Sequence, residues 1–418
     1  MTEACVTATY LIETAFDPGA AAEAMAGEQS SGTFVPVPGE TPELKRRAGA
    51  VVESVEVLGE TAEPSLPGAR RPAGRPILRA RVRISWPLAN FGPSLPNLHT
   101  TVAGNLFELG QFSGLRVEDV ELPAAFQQRY PGPAFGVAGT RGLLGLPDGP
   151  VLGAIVKPSV GFDAAQVADF ARAMGEAGLD FIKDDELQTD GPVCPFDERV
   201  ARVCEALDRV AQRTGRRPMF AFNLTGEVDE MRRRHDVVVR HGGTCVMVVL
   251  ASAGLAGMSA LRTQATLPIH GHRAGWGALS RAPLLGWSYA AWSKLWRLAG
   301  ADHLHVNGLR NKFCEPDASV VASARSLLSP LGPLRADVAM PVISSGQTVG
   351  QVPDTLAALG TTDIMYLAGG GLVAHPQGPR AGVEALREAW AAARGGEALA
   401  DRARRSAALA SALAALSR

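Results

Sequence analysis

An amine followed directly by three carboxylates closes the segment G-L-D-F-I-K-D-D-E at residues 178–186, where an apolar run stops. If that run is a strand, Lys183 and Asp185 project to one side and Glu186 enters the loop beyond. Two carboxylates beside an amine suit a hard divalent cation such as magnesium, which binds through one or two carboxylates and completes its shell with water or substrate. Read alone, Lys183 to Glu186 also suit an exposed K-D-D-E turn.

Lysine usage sharpens the choice. Lys and Arg together number 41, yet only five are lysine: Lys45, Lys157, Lys183, Lys294 and Lys312. Arginine stays protonated, whereas a desolvated lysine can lose its proton and act as base, nucleophile or carbamate former. Lys157, Lys183 and Lys312 fall at or just beyond apolar, strand-like runs. Compositional bias accounts better for Lys45 and Lys294 than for these three.

The remaining composition limits the partners. With 418 residues, 46% hydrophobic and 20% charged, the chain can bury a sizeable core and is expected to form two domains. A net charge of −1 offers no basic field for nucleic acid or an anionic membrane surface, which leaves a small molecule as the default partner. There is no window of eighteen apolar residues and no basic-then-apolar N-terminal segment, so the expectation is a cytoplasmic protein. Cys5, Cys194, Cys204, Cys245 and Cys314 lack C-x-x-C spacing and read as reduced thiols, with no zinc site.

The elements that must position these groups divide near residue 135. Before it, Val51–Leu58 and Pro76–Trp86 alternate apolar with polar residues, as half-buried antiparallel strands do. Residues 100–109 are expected to begin a helix, and Pro131–Gly136 reads as a linker. From Val151 on, eight short apolar runs alternate with amphipathic helical stretches. The runs are 151–156, 179–183, 219–223, 245–250, 267–272, 303–306, 341–344 and 363–368. Helices are expected over 163–177, 195–214 and 227–241. This is the pattern of a (β/α)8 TIM barrel at 136–418, preceded by an N-terminal α+β domain with an antiparallel sheet at 1–135. A doubly wound open sheet is the competing architecture.

In a barrel the chemistry sits at the C-terminal ends of the strands. Those ends carry Lys157, then Lys183 with Asp185 and Glu186, Asn223, His272 with Arg273, His305, Ser344-Ser345-Gly346 and Gly369-Gly370-Gly371. Two H-x-H pairs, His270/His272 and His303/His305, each place both rings on one side of a strand. His270 and His303 are expected to hydrogen-bond inside the barrel, and His272 and His305 to meet substrate. Arg273 can grip a phosphate bidentately. The glycine-bearing ends of strands seven and eight can hold a phosphate on backbone N–H groups.

Together these motifs resemble the large-chain superfamily of ribulose bisphosphate carboxylase (RuBisCO), and within it the RuBisCO-like proteins. The resemblance runs from Glu28 to about His375. Beside G-L-D-F-I-K-D-D-E it includes I-V-K-P at 155–158, H-x-H-R at 270–273, D-H-L-H at 302–305, P-V-I-S at 341–344, G-G-G at 369–371, E-Q-S-S-G-T-F at 28–34 and G-N-L-F at 104–107. It implies Mg2+ held by carbamylated Lys183, Asp185 and Glu186. It further implies Lys157 as acid/base near the enolising carbons, His272 and His305 on substrate oxygens, Arg273 on a phosphate, and Lys312 on a mobile sixth loop that closes over substrate. Thr33 and Asn105 would reach into the barrel of a partner, giving a homodimer with shared active sites that can build higher oligomers.

Departures from the carboxylase pattern are equally specific. The lysine expected two residues after Lys157 is Ser159, the tryptophan after Thr33 is Phe34, and a histidine four residues past His272 is Trp276. The sixth loop reads V-N-G-L-R-N-K-F, and Ser345 and Gln347 alter the phosphate turn. CO2 fixation on ribulose bisphosphate is therefore not expected. The resemblance implies magnesium-dependent enolisation of a phosphorylated ketose or keto sugar acid, most simply a monophosphate, leading to isomerisation or decarboxylation. An enolase or isomerase of methylthio-sugar phosphates is the nearest alternative. A Schiff-base aldolase using Lys157 or Lys183, and a catalytically silent regulatory relative, are the rivals from other classes.

Overall fold

The computed structural model describes residues 4–32 and 37–416. Thirteen strands occur among them: β1 (Cys5–Thr14), β2 (Val51–Thr61), β3 (Ile77–Pro87), β4 (Phe112–Glu121), β5 (Val151–Ile155), β6 (Phe181–Lys183), β7 (Met219–Asn223), β8 (Cys245–Val249), β9 (Ile269–His272), β10 (Leu285–Trp287), β11 (His303–His305), β12 (Met340–Ile343) and β13 (Met365–Leu367). They form a five-stranded sheet in the order β10-β4-β1-β3-β2 and a closed barrel in the order β11-β12-β13-β5-β6-β7-β8-β9.

The chain forms two compact units. One comprises residues 1–131, 275–298 and 331–336, and the other 132–274, 299–330 and 337–418. The sequence reading draws a single boundary after 135, whereas the units interleave beyond residue 274.

In the first unit β1, β2, β3 and β4 pair antiparallel, and β10 adds a short parallel strand on β4. One face of β3 is buried through Ala80, Val82 and Ile84. Its arginines carry a ladder of ion pairs: Arg81 meets Glu56 and Glu118, and Arg83 meets Glu53 and Glu121. Residues 100–109 depart from the expected helix start. The helix there is Leu95–Ala103, capped by the Ser94 hydroxyl on the Asn97 N–H, and it ends at Gly104.

Glu13 on β1 is fully buried and accepts from the Ser65 N–H and hydroxyl, Arg79 Nε and the Ser113 hydroxyl at 2.7–2.9 Å. Burial alone would raise its pKa, but these donors outweigh it and hold the carboxyl below its ordinary value. A depressed carboxylate contributes stability above its unfolded pKa and loses it as pH falls through the folded one. Glu13→Gln should therefore cost about 2 kcal/mol at neutral pH. In urea titrations the deficit should shrink as the pH is lowered below about 4; a deficit that does not change with pH would contradict this assignment.

In the second unit every barrel strand is parallel to its neighbours and largely buried on both faces, which is why most read as mainly apolar runs, with His270, His272, His303 and His305 the polar residues of β9 and β11. Val151, Phe181, Met219, Ala221, Met247, Val342, Met365 and Leu367 fill the interior. At Gly153 on β5 an added Cβ would lie 2.6 Å from Leu367 and 2.8 Å from the Phe181 carbonyl, so only glycine permits this closure. The helices that follow β5, β6 and β7 are Ala164–Glu176, Phe196–Thr214 and Val228–Arg240. Among the described residues no helix is long and apolar enough to cross a membrane.

Candidate active site

Alternation along β6 places Lys183 one layer beyond Phe181 on the barrel's inner face. The strand ends at Lys183, so Asp185 lies in the loop with Glu186 and not on the strand with Lys183, as the two-residue spacing had suggested. The loop is held from below. Asp184 is fully buried and accepts from Arg199 Nε at 3.2 Å and from the Asn223 N–H at 2.9 Å. The Asn223 side chain donates to the Asp185 and Glu186 carbonyls.

Lys183 is 1% exposed. Its Nζ donates to the Asp184 carbonyl at 2.7 Å and lies 3.9 Å from Glu186 Oε2. Burial brings the amine down to about 8, against the pull of Glu186, Asp185 and Asp184. Asp185 is also lowered, but here burial loses: it would raise the carboxyl, and the Lys157 ammonium and the Leu187 N–H hold it below its ordinary value. Lys157, just past β5, donates to Asp185 Oδ2 at 2.6 Å and to the Ser159 hydroxyl at 2.7 Å. The residue that departs from the carboxylase lysine thus serves as an acceptor for Lys157.

His272 ends β9. Its Nδ1 accepts from the Ala274 N–H, which leaves the Nε2 proton directed at Glu186 Oε2, 3.4 Å away. His305 ends β11, with its ring 4.5 Å from that of His272, and contacts the Ser344 hydroxyl through Nδ1 at 3.0 Å. Burial lowers both imidazoles well below their ordinary pKa and keeps them neutral at physiological pH. Lys157, Lys183, Asp185, Glu186, His272, His305 and Ser344 therefore form one continuous cluster.

A second group surrounds it. Arg273 forms an ion pair with Glu315, which also accepts from Asn307 Nδ2 and the Ser319 hydroxyl. Asn307 and Ser345, both in the left-handed region at φ 65° and 71°, are joined by a 2.7 Å hydrogen bond from the Ser345 hydroxyl. The Lys312 N–H donates to the Ser345 carbonyl, and Gln347 donates to the Leu309 carbonyl. A Cβ added at Gly346, which sits at φ 84°, would lie 3.6 Å from Lys312 Cβ. The turn after β12 and the loop after β11 are thus one hydrogen-bonded body. The Lys312 ammonium lies over the Phe313 ring at 5.2 Å and is not drawn into the carboxylate cluster. Gly369 and Gly370 open the short helix Gly369–Val373 after β13, and Gly371 packs on Gln347 and Thr348.

Thr33 lies outside the described residues, as does Phe34. Asn105 belongs to the first unit, where its Nδ2 is 3.4 Å from Glu28 Oε1. Glu315 and Ser159 escape a reading based on strand ends. The first follows Lys312 by three residues in a loop, and only its contact with Arg273, 42 positions away, gives it meaning.

Among the described residues no three histidine, cysteine or carboxylate side chains converge as a ready-made metal site. Asp185 and Glu186 supply two carboxylates, and an ammonium supplies none. CO2 adds to a neutral amine, and the buried Lys183 amine is eased toward that form. The carbamate would complete a three-oxygen set of the kind a hard divalent cation takes, so the residues present fit magnesium.

Known proteins resemble the chain over nearly its whole length. The family model for the ribulose bisphosphate carboxylase large chain, catalytic domain, matches residues 136–416, and that for its N-terminal domain matches residues 3–126. A 3-oxo-isoapionate-4-phosphate transcarboxylase/hydrolase of Xanthobacter autotrophicus is 56% identical over 408 residues, 98% of either chain. A 3-oxo-isoapionate-4-phosphate decarboxylase of Rhizobium rhizogenes is 42% identical over 390 residues, 93% of either chain. The crystal structure of a RuBisCO-like protein from Burkholderia fungorum superposes with a TM-score of 0.93 at 44% identity, covering 99% of this chain and 100% of the other.

Proposed function

Since the chain belongs to the ribulose bisphosphate carboxylase large-chain family, we propose that it is a non-carboxylating member acting on a phosphorylated 3-oxo sugar acid, whose bond between C2 and the carboxyl carbon it breaks. The observation that carries this reading is the Lys157 ammonium seated 2.6 Å from Asp185, a proton donor fixed beside the carboxylate cluster. The substrate named for two relatives at 56% and 42% identity supports the keto acid over a methylthio-sugar phosphate. Magnesium, held by Asp185, Glu186 and carbamylated Lys183, would supply Lewis-acid polarisation of the C3 ketone.

The chain's own groups account for the remainder. Arg273 and the backbone of the Ser344–Gln347 and Gly369–Gly371 turns bind the phosphate, with Glu315 yielding the guanidinium to it. The His272 Nε2–H is placed to donate to a substrate oxygen beside Glu186. As the C1–C2 bond breaks, its electron pair enters the C2–C3 bond and the C3 oxygen becomes anionic, giving an enediolate. The carboxyl carbon departs as CO2 or passes to an acceptor. Lys157 then delivers a proton to C2 and recovers one from solvent. The proposal includes a homodimer in which Thr33 and Asn105 complete the partner's site; a stable monomer in light scattering would contradict that part.

The test supplies the holoenzyme and Mg2+ with 3-oxo-isoapionate 4-phosphate, and in parallel with ribulose 1,5-bisphosphate and labelled bicarbonate. Consumption of the first and no incorporation of label into the second is the expected pair of results. Labelled product from the bisphosphate, or an inert keto acid, would overturn the reading.

A further inference from the structure

A file of hydrogen-bonded groups runs from the helix Gly136–Leu144 through the barrel interior to Ser344. The Thr140 hydroxyl lies 2.5 Å from the Gly136 carbonyl and 2.8 Å from His303 Nε2. His303 Nδ1 meets His270 Nδ1 at 3.3 Å, His270 Nε2 meets His305 Nε2 at 2.7 Å, and His305 Nδ1 meets the Ser344 hydroxyl at 3.0 Å. Phe181 stacks on His270 at 5.1 Å, and every member of the file is buried.

The protons in this file can be placed one by one. Two oxygens 2.5 Å apart must share a proton, and only the hydroxyl has one, so Thr140 donates to Gly136. Thr140 then accepts from His303, whose proton is on Nε2. A neutral His303 has a bare Nδ1, so His270 carries its proton on Nδ1. His270 Nε2 is then bare, so His305 carries its proton on Nε2. Its Nδ1 is left bare and takes the Ser344 hydroxyl proton. Burial keeps the rings neutral, with His303 lowered to about 3.

We propose that Thr140, His303 and His270 are positioning residues that lock His305 as its Nε2–H tautomer, and that Ser344, its proton committed to His305, meets substrate solely as an acceptor. Ser344 Oγ therefore selects a substrate hydroxyl and cannot donate to a phosphate oxygen. Phosphate binding at this turn is left to its backbone N–H groups and Arg273. The selection of a hydroxyl rests on the proposed function, which sets the turn bearing Ser344 against substrate, whereas the tautomers exist without substrate and are measured without it.

The experiment labels the eight histidines with 15N in the full-length protein and reads pyrrole-type and pyridine-type nitrogens by long-range 1H–15N NMR. Signals are assigned with His303→Gln and His305→Gln. The expected wild-type pattern is a proton on Nε2 of His303 and His305 and on Nδ1 of His270. Thr140→Val leaves the His303 Nε2 proton without an acceptor, so all three rings should reverse and His305 should donate from Nδ1 to Ser344. Thr140→Ser should restore the wild-type pattern. A wild-type His305 protonated on Nδ1, or a Thr140→Val protein with unchanged tautomers, overturns the proposal. If Thr140→Val does not fold, the wild-type pattern alone decides.

Discussion

Replacing Lys183 with alanine is expected to lower turnover of 3-oxo-isoapionate 4-phosphate roughly a thousandfold, because on the proposed carbamate it would remove one of three oxygen donors and with it ~4 kcal/mol of Lewis-acid stabilisation. The Lys183 amine is buried deeply enough for its pKa to fall to about 8. With 13C-bicarbonate and Mg2+, wild-type protein should show a carbamate carbon signal that Lys183→Ala lacks. Thermal unfolding of the variant separates this loss from collapse of the barrel, since Lys183 is also a core-packed side chain. Full magnesium-dependent activity in the variant would refute the carbamate assignment. If Lys157 or Lys183 instead formed a Schiff base, borohydride with substrate would trap it irreversibly, which the carbamate reading does not allow.

Lys157→Met should lose about 10²–10⁴ in turnover, the range for removal of a positioned proton donor. Its effect on the metal should be opposite in sign to that of Lys183→Ala. In the free protein the Lys157 ammonium occupies Asp185 Oδ2 at 2.6 Å. A cation that binds Asp185 must compete with it. Calorimetry should therefore find Mg2+ bound at least as tightly by Lys157→Met as by wild type, while product formation collapses. Weaker Mg2+ binding together with lost turnover would mean that Lys157 supports the metal site and is not the proton donor.

Burial decided which features were legible in the sequence. Barrel strands are covered on both faces, so their apolar runs announced all eight, to within about two residues at most ends. The strands β1, β4 and β10 carry weaker signals: the alternation of β4 breaks where Glu118 and Asp119 run together at a register shift, and β10 has only three residues. The helix Leu95–Ala103 carried a start signal in Ser94 and Pro96, a capping hydroxyl and an N-terminal proline, that a purely apolar pattern does not weigh. In the site, the K-D-D-E segment and the two H-x-H pairs stood out because short spacing is itself a geometric statement. Glu315 against Arg273 and Thr140 against His303 did not, since 42 and 163 positions separate those partners. No local pattern encodes a contact that only closure of the barrel creates.

The central claim is that an enediolate forms at C2 once its carboxyl carbon has left, and that an enzyme group then protonates it. Turnover of 3-oxo-isoapionate 4-phosphate by the wild-type protein in D2O with Mg2+, followed by NMR of the product, tests this most directly. The predicted result is a single deuterium on the carbon that lost its carboxyl group, in one stereochemical configuration, with no product when a chelator replaces Mg2+. Product without deuterium at that carbon, or formed equally well in chelator, would contradict it.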